Sequence, residues 1–162
     1  MKPHREKKIL PAEEIEWSVL LAGWPKEIPK PTKLKGVQKA GLAYEKRVGK
    51  YLKARFGKNA MIGPWFQFLD KNGKRYCQPD FLLTLDGQIY IIECKLSFRG
   101  RARDKLKKVY GPVVSAALNG SPPILIQVCR TLRRGLKTKT VPSIDEAISP
   151  GENRYRVWLW RK

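Results

Sequence analysis

Residues 78–97 read QPDFLLTLDGQIYIIECKLS, and their interpretation decides the fold. Asp86-Gly87 is a hairpin dipeptide between two apolar runs, because the tightest hairpin turns need residues that tolerate positive φ. Counting outward from that turn puts Leu85 opposite Gln88, and therefore Asp80 opposite Glu93. Side chains alternate along a strand, so Glu93 and Lys95 share one face while Cys94 takes the other. Directly opposed residues also share a face. Spacing alone thus brings two carboxylates and one ammonium together.

Two adjacent carboxylates on a half-buried sheet repel unless a cation joins them. Mg²⁺, with Mn²⁺ as its substitute, suits such a site because it prefers hard oxygen ligands and keeps several waters. A water made more acidic by the metal can attack a phosphodiester. Lys95 can hydrogen-bond that water or offset charge developing on the phosphate. Taken alone, an acid-acid-lysine triplet reads first as a solvent-face cluster of two acids neutralised by the lysine. Here the acids flank the apolar run QIYIIECKL in a strongly basic chain, which favours the metal site.

Working outward, Gly41–Phe56 has helical periodicity, with Tyr44, Val48, Tyr51, Leu52 and Phe56 on one stripe and Gly57 as its stop. Met61–Leu69, Arg75–Leu85 and Gln88–Ser97, separated by Asn72-Gly73 and Asp86-Gly87, predict a three-stranded antiparallel meander. Arg101–Leu118 reads as a helix that Gly111-Pro112 should break or kink. Ile124–Cys129 reads as a buried strand returning after a helical crossover, and Tyr155–Trp160 as a final strand. The order predicts an α/β sandwich: a central mixed sheet flanked by helices. Residues 1–37 form a basic, proline-punctuated leader in which Ala12–Ala22 could make one short helix, and residues 38–162 form the main domain.

Thirty-four Lys and Arg against fourteen Asp and Glu leave the 162-residue chain at +20. Such charge repels itself in a compact fold, and a polyanion is the usual compensation. A solvated cationic surface or a membrane-surface binder is the alternative. The apolar runs Phe81–Leu83 and Ile89–Ile92 are far too short to span a bilayer, and no apolar signal core follows Met1–Lys8, so a cytoplasmic or nucleoid-associated setting is expected. Cys77, Cys94 and Cys129 are widely spaced, without a C-x-x-C pair, and read as buried reduced thiols. The single histidine, His4, lies in what reads as a mobile tail, which makes histidine-based mechanisms poor fits.

Pro79-Asp80 followed across a hairpin by Glu93-Cys94-Lys95 resembles the PD-(D/E)XK nuclease superfamily, whose fold is restriction-endonuclease-like. The resemblance covers about residues 41–130 and implies a metal-dependent deoxyribonuclease with Asp80, Glu93 and Lys95 as its centre. Families of this type often carry a glutamate on the preceding helix that completes the metal site, and Glu45 in GLAYEKRVGKYL matches it; a surface glutamate paired with Lys46 is the other interpretation. The pattern G-x-x-Y-E-x-x-V before the hairpin is nearest to Holliday-junction resolvases and their phage relatives, which implies branched DNA as substrate, action in recombination or in a phage-infected cell, and a homodimer that the sequence itself does not show. Exonuclease-like members often place Q-x-x-x-Y on the next helix. Tyr110 matches the tyrosine, but Leu106 stands at the glutamine position, so Tyr110 reads as packing.

Arg99, Arg101, Arg103, Lys105, Lys107 and Lys108 follow Lys95 and are expected to hold DNA phosphates at the mouth of the site. A second basic cluster, Arg130, Arg133, Arg134, Lys137 and Lys139, is weaker as a DNA contact because part of it must be solvated surface. No separate recognition domain is visible, so DNA shape or ends are expected to be read rather than sequence. The terminus YRVWLWRK reads first as core packing or a subunit contact, and second as a platform for unpaired bases. The leading expectation is a structure-selective DNA endonuclease. An end-dependent exonuclease and a catalytically inactive basic nucleic-acid-binding module are the alternatives.

Overall fold

A computed structural model describes residues 9–30, 36–119 and 122–162; His4 lies outside them. In chain order the elements are β1 (Trp17–Leu20), α1 (Val37–Phe56), β2 (Ala60–Ile62), β3 (Phe66–Asp70), β4 (Gly73–Cys77), β5 (Phe81–Leu85), β6 (Gln88–Ser97), α2 (Gly100–Lys105), α3 (Gly111–Leu118), β7 (Ile124–Thr131), α4 (Ile144–Ala147) and β8 (Tyr155–Leu159). They form an α/β protein with two sheets, one of order β2-β5-β6-β7-β8 and one of order β1-β3-β4. The first is mixed: β2, β5 and β6 pair antiparallel, while β6, β7 and β8 run parallel. The second is antiparallel throughout.

The β5–β6 hairpin has the register its turn requires, with Leu85 opposite Gln88 and Phe81 opposite Ile92. Asp86 and Gly87 both take positive φ, 49° and 77°, as a twist-matched two-residue turn demands. Alternation along β6 then divides the core. Tyr90, Ile92 and Cys94 pack with Phe81, Leu83 and the Tyr44–Val48–Leu52 stripe of α1. Ile89 and Ile91 pack with Leu82, Phe66, Phe68 and the helical crossover that carries Leu106, Val109 and Val113. Helix α1 comes close because Gly49 has no side chain. A Cβ there would stand 2.9 Å from the ring of Phe81, which is itself 1% exposed and cannot move aside.

The expected three-stranded meander does not form. Arg75–Leu85 is split, because Pro79 has no N–H with which to continue a ladder. Cys77 is the last residue paired to β3, and Phe81 begins pairing to β6 in the other sheet. The expected helix over Ala12–Ala22 is also absent. Trp17–Leu20 instead pairs with Phe66–Leu69 as an edge strand. Its aromatic and branched residues suit a pleated edge, and the β3 backbone supplies partners that an isolated short helix would lack. The Ser18 hydroxyl, 2.8 Å from the Val113 carbonyl, ties this strand to α3.

Gly111-Pro112 neither breaks nor ends its helix. The chain is helical from Gly100 through Leu118, with a π turn at Leu106–Tyr110 immediately before the proline. Pro112 cannot donate to the carbonyl of Lys108, and that carbonyl accepts instead from the N–H of Ala12 at 2.8 Å. The leader is fastened a second time by Arg75, which donates to the carbonyls of Leu10 (3.0 Å) and Pro11 (3.1 Å) and to Asp70 Oδ2 (2.6 Å). All three cysteines are buried thiols. Trp158 is buried in the core beside Tyr51 and Trp160. No helix among the described residues is long and apolar enough to cross a membrane.

Candidate active site

The break at Gln78–Asp80 is held from three directions. Gly63 donates its N–H to the Asp80 carbonyl at 2.8 Å, Gln78 Nε2 donates to the Gly63 carbonyl at 3.0 Å, and the Tyr110 hydroxyl donates to the Gln78 carbonyl at 3.2 Å. Tyr110 is otherwise a buried packing residue. Asp80 therefore stands just beyond the ladder with its backbone immobilised, and Glu93 lies across from it on β6.

The two carboxylates are fixed reciprocally. The N–H of Asp80 donates to Glu93 Oε2 at 3.3 Å, and the N–H of Cys94 donates to Asp80 Oδ2 at 2.8 Å. Each acid caps a backbone donor of the opposing strand, so neither can swing away without orphaning an amide. Lys95 Nζ is 3.9 Å from Glu93 Oε1, with the lysine 41% exposed and the glutamate almost fully buried. Glu45 reaches the group from α1 and lines, with Asp80, Lys95, Gln78 and Arg99, a cleft of about 600 Å³.

Their electrostatics follow from crowding. Burial first, then the charge of Asp80, push Glu45 up from an ordinary 4.5 to about 7 and Glu93 to about 8. Asp80 is raised too, chiefly by burial, although the Cys94 N–H and the ammoniums of Lys95 and Lys105 oppose the rise. Lys105 acts on both Asp80 and Glu93. Expected from sequence only as a phosphate contact, it is the second cation of the acidic centre, its Nζ 5.0 Å from the Tyr110 ring centroid.

The remaining basic residues divide. Arg99 and Arg101 line, with Lys95 and Lys105, a neighbouring hollow of about 460 Å³. Arg103 stands near Asp104 at 4.0 Å and its charge acts on Tyr155, whose ring lies 5.2 Å from Lys107 Nζ, so both belong to the β8 side; Lys108 is exposed. Gln127 is a further positioning residue. Buried opposite Glu93 in the β6–β7 register, its amide accepts from the Arg99 N–H at 2.8 Å and donates to the Arg99 carbonyl at 3.0 Å and to the Tyr155 hydroxyl at 2.9 Å. It clamps the backbone that presents Arg99. The only sequence signal is one polar residue inside the apolar run ILIQVC.

No model of a known protein family and no curated protein matches the chain.

Whether the residues fit a divalent cation is a question of donors. Asp80 Oδ1 and Glu93 Oε1 are the oxygens not engaged with the opposing backbone amides. Mg²⁺ takes one or two carboxylates and keeps several waters, so this pair fits it. Among the described residues no group of three or more His, Cys, Asp or Glu side chains stands in ligand arrangement, so the fit rests on the pair.

A pH dependence of stability follows. Between the ordinary 4.5 and the raised values near 7 and 8, the folded protein holds protons that the unfolded chain has released. The metal-free protein is therefore expected to lose stability as pH rises from about 5 to 8, by several degrees in thermal midpoint. Mg²⁺ should restore more at pH 8 than at pH 5. Differential scanning fluorimetry in EDTA and in Mg²⁺ checks both; a midpoint that rises with pH in EDTA contradicts the assignment.

Proposed function

We propose that this chain is a magnesium-dependent deoxyribonuclease with a restriction-endonuclease-like core, cutting DNA internally at branched or otherwise irregular structures. The observation that carries the reading is the reciprocal lock of Asp80 and Glu93, with Lys95 beside them. Purely structural acids need no such crowding in a chain of charge +20.

Asp80 and Glu93 would hold the cation, with Glu45 reaching it directly or through a water. When bound, the ion supplies an acidified water as nucleophile and offsets phosphate charge. Glu45, raised to about 7, is poised to take a proton near neutral pH. Lys95, half exposed toward the cleft, donates to the attacking water or to the scissile phosphate. Arg99, presented by Gln127, holds a phosphate alongside, and the Lys105 charge opposes the upward shift of Asp80 and Glu93.

The test is a substrate panel with Mg²⁺ or EDTA: four-way junction, splayed fork, linear duplex, single strand and closed circle. Metal-dependent cutting that includes the closed circle and favours a branched substrate is expected. Cutting confined to DNA with ends would make the chain an exonuclease. Tight binding without cutting in Mg²⁺ or Mn²⁺ would leave only a binding module.

A further inference from the structure

The cleft beside the carboxylates has one wall that phosphate chemistry does not use. Trp24, from the leader, lines it together with Glu45, Asp80, Lys95 and Arg99. The indole is 37% exposed, yet it is held in place. Its Nε1 donates to the Ile28 carbonyl at 2.7 Å, and Trp65 packs edge-on against it, centroids 5.0 Å apart and planes at 65°. The only hydrogen-bond donor of the side chain is thus engaged, Lys30 Nζ stands over the ring at 6.0 Å from its centroid, and the indole surface left exposed borders the cleft. On α1, Gly41 lines the same cleft, and a Cβ there would meet nothing within 4 Å, so the helix leaves room.

We propose that Trp24 is a stacking platform for an unpaired base of the DNA strand whose phosphate is held at Arg99, so that the substrate is DNA with an unpaired nucleotide at the cut. This rests on the nuclease reading above and narrows it. A base inside a continuous duplex is covered on both faces and reaches the indole only by unstacking. A base at a fork, flap, gap or junction branch point already exposes a face, and aromatic side chains bind such faces with little regard to base identity. The charge of +20 supplies affinity for the strand, and Trp24 supplies the preference for its unpaired state.

The experiment measures binding in EDTA, where no cutting is needed, by fluorescence anisotropy on a splayed fork, a single strand and a blunt duplex. Wild type, Trp24→Ala and Trp24→Phe are compared, with 2-aminopurine at the unpaired position as a stacking reporter. Trp24→Ala should weaken fork and single-strand binding by about 5- to 100-fold and change duplex binding less than about two-fold. It should also abolish the quenching of 2-aminopurine that wild type produces. Trp24→Phe, which keeps an aromatic face against Trp65, should retain most of both, and unchanged circular dichroism excludes a folding defect. Equal losses on fork and duplex, no loss on either, or an unquenched probe with wild type would overturn the proposal. Quenching and fork preference in a protein that never cuts with Mg²⁺ would instead uphold the platform and remove the nuclease.

Discussion

Asp80→Asn and Glu93→Gln are each expected to slow cleavage by about 10³-fold or more while stabilising the metal-free protein at pH 8. Both changes preserve the local geometry. Asparagine keeps an oxygen for the Cys94 N–H, and glutamine keeps one for the Asp80 N–H, so the two backbone donors stay satisfied. What disappears is one negative charge from a crowded, buried group. Without a cation that charge is unfavourable, so its removal raises the thermal midpoint in EDTA. At pH 5, where Glu93, raised to about 8, already carries its proton, the gain from Glu93→Gln should vanish. With Mg²⁺ the order reverses, because each variant has lost a ligand. Calorimetric titration of Mg²⁺, thermal midpoints at the two pH values and single-turnover cleavage give three separate readouts. Normal Mg²⁺ affinity in both variants would contradict the ligand assignment.

Lys95→Met is expected to be about as damaging to catalysis, lowering the single-turnover rate by about 10²- to 10³-fold, with fold and DNA affinity nearly unchanged. Lys95 Nζ is 3.9 Å from Glu93 Oε1, too long for a hydrogen bond, and the lysine is 41% exposed. A pair of that kind stabilises a fold by at most about 1 kcal/mol. Its charge is thus directed at the cleft rather than at the structure, and methionine keeps the aliphatic stem that packs along β6. Arg99→Ala should show the opposite division, weakened binding with a nearly normal rate once DNA is bound. If Lys95→Met lost affinity and kept its rate, lysine would be a phosphate anchor and the chemistry would lie elsewhere.

The part of the fold legible from sequence is the part that local chemistry determines. Asp86-Gly87 admits one hairpin register, and from it the meeting of Asp80 with Glu93 followed by counting. The stripe through Tyr44, Val48 and Leu52 located α1, and the apolar run at Ile124 located the parallel strand β7. What was not legible depended on partners far away in the chain. Trp17–Leu20 is a strand because β3 offers it an edge, and nothing within the leader announces that edge. Pro79 was visible as a residue without an N–H, but only the second sheet shows that the chain changes sheets there. The π turn before Pro112 needs the N–H of Ala12, roughly a hundred residues upstream, to satisfy the Lys108 carbonyl.

The site divides in the same way. Glu45, Asp80, Glu93, Lys95 and Arg99 could be named from spacing, charge and resemblance, and four of them line one cleft with Glu93 locked to Asp80 behind it. Lys105 was named for phosphate and stands among the acids, because the helical crossover turns that face of α2 inward. Gln127 and Trp24 went unnamed. One acts by clamping a backbone, the other by exposing a ring, and neither action has a short-range pattern in sequence.

The most direct measurement is cleavage of closed circular DNA by wild type and Lys95→Met, each with Mg²⁺ and with EDTA. Cutting by wild type in Mg²⁺ alone, lost in EDTA and reduced by about 10²-fold or more in the variant, is the expected result. Cutting that survives EDTA, or that the variant carries out at the wild-type rate, would contradict a metal-and-lysine nuclease centred on Asp80 and Glu93.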